Sequence, residues 1–147
     1  DRAFEIGLGS LRKTLIHVRD AEQWWVENWI DGPGRVFPPA YESLAIESLA
    51  DRFRETAAQR NSYLQRAEFS SNGPSSIRNA ELARLVRATP RPNVHREFPL
   101  GVTMLQLNHH GTHHRAQALN MLRHLGAAVP ALDMVLFLME RHRMSNA

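Results

Sequence analysis

Two long segments, Leu8–Ile30 and Leu100–Leu125, constrain the fold most. Both carry apolar residues at three-, four- and seven-residue spacing, which predicts amphipathic helices. In the first, Leu8, Leu11, Leu15, Val18, Trp25 and Trp29 form the stripe, Ser10 caps the start, and Gly32-Pro33-Gly34 ends it. Beyond the second, Gly126 stands where helices usually stop. Helices of this length in a 147-residue chain predict a single domain, residues 1–147, of all-α class, with connections suited to an antiparallel bundle.

The intervening sequence supplies shorter elements. Val36–Ala40, with Pro38-Pro39, reads as a linker. A second helix falls within Tyr41–Ala67, with Ser48-Leu49-Ala50-Asp51 resembling a capping box and Leu49, Phe53, Ala57, Arg60, Tyr63 and Leu64 as its inner stripe. Ser70–Ser76 is a loop. Ile77–Pro99 admits two readings: helix over Asn79–Ala88, or a loose hairpin joining Leu85–Thr89 to His95–Pro99. Prolines on both sides of Arg91 argue against a tight two-residue turn. After Pro130, a short helix is expected from near Asp133, carrying Met134, Val135, Phe137 and Leu138.

Composition excludes several chemistries. The chain has no cysteine, which removes disulfides, thiolate metal sites and a cysteine nucleophile. Its longest apolar run, Met134–Met139, is far too short to span a bilayer, so no membrane partner is expected. Asp1-Arg2-Ala3 does not lead into a signal-like apolar stretch, and a cytoplasmic location is expected. Eighteen basic residues, all arginine but Lys13, face 15 acids for a net charge of +3. Arg52, Arg54, Arg60, Arg66, Arg78, Arg84 and Arg87 interleave with Glu47, Asp51, Glu55, Glu68 and Glu81. That pattern predicts solvated, ion-paired helix faces rather than a phosphate-binding stripe, so no nucleic-acid partner is expected.

Eight histidines are the chemical signal, and four lie within Asn108–Arg115. His109 with His113, and His110 with His114, are i,i+4 pairs, each able to share one ion from one helix face. Helix phase separates them. His110 and His114 fall with Leu107, Ala118, Met121 and Leu125 on the apolar side; His109 and His113 fall with Gln106, Asn120 and His124 on the polar side. A bundle-core metal site needs inward ligands, which selects His110 and His114. A third ligand is required. His17, His95, His124 and His142 are the candidates, and His17 alone sits in the middle of a different helix near a core face. Any one histidine is otherwise an ordinary hydrogen-bonded residue.

The segment His110-Gly111-Thr112-His113-His114-Arg115-Ala116-Gln117 resembles the histidine signature of the DinB-like, or YfiT-like, family of metal-dependent enzymes. Ser10–Val18 followed by Trp24-Trp25 resembles that family's first ligand helix, Phe98–Gly101 its lead-in to the metal helix, Met121–Gly126 the end of that helix, and Leu132–Val135 its closing segment. The resemblance implies a four-helix bundle and a three-histidine site of His17, His110 and His114. The chain departs in having His109 where the family usually has Asn, and Ala116 where it has Gly. Family members also carry a helix before the first ligand helix. Its expected absence here leaves an apolar face, and with Trp25, Trp29 and Met134–Met139 this predicts a homodimer.

Three neutral imidazoles leave a divalent ion its full charge and at least one open position, as catalytic sites do. Zinc, nickel and iron all suit such ligands, and ligand type does not choose among them. The resemblance implies a small-molecule substrate and either hydrolase-like activity or transfer of a low-molecular-weight thiol. The thiol is then a substrate, since the chain has none. Asp20, one turn from His17, either orients it or pairs with Lys13 or Arg19 at the surface. A non-catalytic metal-binding scaffold is the competing reading.

Overall fold

Gly7 and Gly9 both take positive φ, which lets residues 4–9 fold back so that the Phe4 amide donates to the Gly9 carbonyl at 2.9 Å. Ser10 then caps the first helix: its Oγ accepts from the Lys13 amide at 3.2 Å. This helix, α1, runs Leu11–Asp31, three residues later than its apolar stripe suggests. The computed structural model describes residues 2–31, 35–38, 45–70 and 72–145, so the Gly32-Pro33-Gly34 stop signal lies outside the described residues.

Helix α2 spans Ile46–Leu64. Its N-cap is Ala45, so the Ser48 capping box does not form. Leu49, Thr56 and Tyr63 are its buried positions, a seven-residue repeat that keeps one face on α1. Arg60 reaches out along its stem to pair with Glu22 of α1.

Both readings of Ile77–Pro99 contribute. Helix α3 covers Ser75–Ala83, and the hairpin follows: β1 at Leu85–Arg91, antiparallel to β2 at Val94–Pro99. Arg91 pairs with Val94, so the turn is the two-residue Pro92-Asn93, contrary to the argument from the prolines. Pro92 presets the first turn position and Asn93 takes φ 61°, as the second requires. An irregular register between Ala88 and Arg91 accommodates Pro90, which has no amide to give the ladder. The all-α expectation is corrected to this extent: the protein is mostly helical with one two-stranded sheet.

The hairpin leads directly into α4, Leu100–His124. The Leu100 amide donates to the Arg84 carbonyl at 2.8 Å, fixing the entry. At the other end Gly126 at φ 74° allows the Ala127 amide to reach the Leu122 carbonyl and its own amide to reach Arg123. Helix α4 packs on α1 and α3, and the hairpin lies against α1 and α4. The core joins Val26 and Trp29 of α1, Tyr63 of α2, Val86 of β1 and Leu100 of α4. At its edge Arg84 donates to the Trp29 carbonyl, the Tyr63 hydroxyl and Glu81.

Asp133 caps α5, Met134–Ser145, by accepting from the Val135 and Leu136 amides. This helix has no extensive packing partner among the described residues. Met134 through Met139 are each 53–72% exposed. Trp29 is buried and Trp25 packs beside it, so α5 carries the large uncovered apolar surface. No described helix is long and apolar enough to cross a membrane.

Candidate metal centre

Helix phase turns His110 and His114 from α4 toward α1, where His17 meets them. His17 Nε2 and His110 Nε2 lie 3.0 Å apart. The ring centroids are 4.9 Å apart for His17 and His110, 4.8 Å for His17 and His114, and 4.5 Å for His110 and His114. One nitrogen from each imidazole lies within 4.8 Å of the other two. Ligation of one ion at about 2.0–2.1 Å places nitrogens about 3–3.5 Å apart. The His17–His110 pair meets that spacing, and the whole group is somewhat looser.

The electrostatics suit a cation's ligands. Burial, then the neighbouring charges of His114, His17 and His113, lowers the His110 pKa to about 4. Burial and then His114 also lower that of His17. Both rings are therefore neutral at pH 7, the form that ligates. The buried His110 Nδ1 has no hydrogen-bond partner among the described residues. The donor set fits a divalent ion: three imidazoles from two helices, with no thiolate.

Two neighbours of the site are Gln117, whose role the sequence left open, and Phe37, which it did not mark. Gln117 Oε1 accepts from His114 Nδ1 at 2.7 Å, which leaves His114 Nε2 for the site. The Gln117 amide nitrogen donates to His113 Nε2 at 3.0 Å, so the outer pair supports the inner one. Phe37, from the expected linker, packs edge-to-face on His17 with ring centroids 5.9 Å apart, held by a hydrogen bond from its amide to the Thr89 carbonyl. Gln117 was detectable as an i+3 partner of His114; nothing local in Val36–Pro38 marks Phe37.

The remaining candidates lie elsewhere. His109 and His113 are on the exposed side of α4, as phase predicts. His95 bonds Thr89 Oγ1 across the hairpin, His124 donates to the Asn120 carbonyl, and His142 is on α5. Asp20 pairs with Arg19 at 2.5 Å, yet both are buried rather than at the surface.

The DinB family model matches residues 2–144. The chain belongs to the DinB family. No curated protein and no solved structure matched. The DinB family match spans α1 through α5 and so includes both helices that supply the histidines.

Proposed function

We propose that the protein is a metal-dependent enzyme acting on a small molecule at a divalent ion held by His17, His110 and His114. The observation that carries this reading is the convergence of three imidazoles, two of them held neutral by their surroundings. Three protein ligands are fewer than a closed structural site uses. When bound, the ion supplies Lewis acidity that favours the deprotonated form of water or of a thiol. Hydrolase-like chemistry and transfer of a low-molecular-weight thiol are the two reactions that follow. The chain's own part is to keep His110 and His17 unprotonated and to hold His114 in one tautomer through Gln117.

The antiparallel four-helix bundle belongs to the same proposal, with α1, α2 and α4 as three of its members. So does a homodimer, supported by the uncovered apolar side chains of α5.

Metal analysis of the purified protein is the first test, with about one zinc, nickel or iron per chain expected. With that metal restored, ester hydrolysis and thiol conjugation to an electrophile are screened. Turnover that disappears in His110→Ala and His114→Ala supports the enzyme. Stoichiometric metal without turnover in either screen favours a scaffold.

A further inference from the structure

A cavity of about 320 Å³ opens beside His110, between α1, α2 and α4. Its walls divide by chemistry. Trp29, Met104 and Leu107 are apolar, while Arg115, Asn108 and an Arg60–Glu22 ion pair are polar. Arg60 and Glu22 neutralise each other. Arg115 forms no ion pair among the described residues; its one hydrogen bond there is a 3.3 Å contact to Thr112 Oγ1. Its guanidinium lies folded over Gly111, where an added Cβ would stand 2.7 Å from Nη1. Gly111 is buried and also lines the cavity, so the missing side chain is what lets Arg115 lie there.

We infer that this cavity binds a small amphipathic carboxylate, with Arg115 holding the carboxylate and Trp29, Met104 and Leu107 taking the apolar body. A planar guanidinium with an open fork matches a carboxylate in geometry and charge. The Glu22–Arg60–Arg115 set sums to one positive charge, which opposes cationic ligands. At about 30 Å³ per water-sized group the volume holds roughly ten to twelve heavy atoms. Such a ligand lies against His110, and so reaches the proposed reaction centre. Its meaning as substrate rests on the metal-enzyme reading, whereas its binding does not.

The test is calorimetric titration with 3-phenylpropanoate and 3-phenylpropanamide, which share size and differ in charge. Protein as purified and protein stripped with chelator are both used. The acid is expected to bind about tenfold or more tightly than the amide in both forms. Arg115→Met removes that preference and leaves amide binding within about twofold, and Gly111→Ala weakens acid binding by displacing the guanidinium. Equal affinity for acid and amide in the parent overturns the inference. So does a preference that needs metal and survives Arg115→Met, which assigns the carboxylate to the ion and leaves the metal reading standing. Arg115-dependent acid binding in a protein that takes up no metal supports the cavity and removes the metal-enzyme reading alone.

Discussion

Gly7 lies against Gln117: a Cβ added at Gly7 would stand 2.6 Å from Gln117 Oε1, the atom that accepts from His114. The turn before α1 therefore leaves room for a side chain on α4 that orients an imidazole of the site. Gln117→Leu removes the acceptor and is expected to weaken metal affinity about 10–100-fold, while Gln117→Glu retains most of it. Competition against a chelator of known affinity reads the difference. Parent-like affinity in Gln117→Leu would show that His114 is oriented without it.

The two histidine pairs on α4 are expected to separate cleanly. His110→Ala and His114→Ala abolish metal uptake, and His109→Ala and His113→Ala keep most of it. The Tm follows, because an ion that binds only the folded state at 100 times its Kd adds about 2.7 kcal/mol. Chelation lowers the Tm of the parent and leaves that of His114→Ala unchanged. Equal metal content in the parent and the His110→Ala/His114→Ala double variant contradicts the assignment.

Metal-stripped protein has a pH signature. His110 has its pKa lowered from 6.5 to about 4 in the folded state. Between those values the unfolded chain binds a proton that the native state refuses. The associated stability is present above pH 6.5 and is lost as pH falls toward about 4. For a half-buried, partly screened ring the loss is about 1–2 kcal/mol. Urea midpoints from pH 7.5 to 4.5 should fall more steeply in the parent than in His110→Gln, and parallel slopes would remove the effect.

Leu100 is fully buried where the hairpin meets α4. Leu100→Ala is expected to cost about 2–5 kcal/mol, from lost transfer energy and the cavity left behind. Denaturant unfolding measures it; a loss under about 1 kcal/mol would mean the site collapses around the smaller residue.

On α5, Phe137→Glu and Leu138→Glu place charge in the uncovered apolar surface. If that surface joins two copies, light scattering at micromolar concentration shows a dimer for the parent and a monomer for the double variant. A monomeric parent ends the dimer proposal.

Helix periodicity exposed α1 and α4 in the sequence, because each has a long apolar stripe and a local stop or cap. The same phase separated His110 and His114 from His109 and His113, since a few turns of α4 suffice to decide which side faces α1. Phe37 was hidden because its position comes from a bond to Thr89, 52 residues away, and not from its neighbours. The hairpin turn misled for a related reason. Proline usually ends strands, yet Pro92 suits the first position of a turn whose second residue, Asn93, accepts positive φ. Arg19 and Asp20 read as surface residues by type, but each supplies the other's counter-charge and so both are buried. The cavity beside His110 draws its walls from three helices, a combination no local pattern encodes.

His17 and His110 are 93 residues apart in sequence and 3.0 Å apart at Nε2. An ion shared between them fastens a loop that holds most of the chain, including α2, α3 and the hairpin. Fixing the ends of so long a loop removes much of the freedom the unfolded chain regains, as a covalent cross-link does. In a protein without cysteine, a histidine cluster holding the proposed ion would thus act as a removable staple. Stripping the proposed ion would turn a chain tied across its middle into one free to open from either end, so its amide protons should exchange faster throughout the enclosed loop.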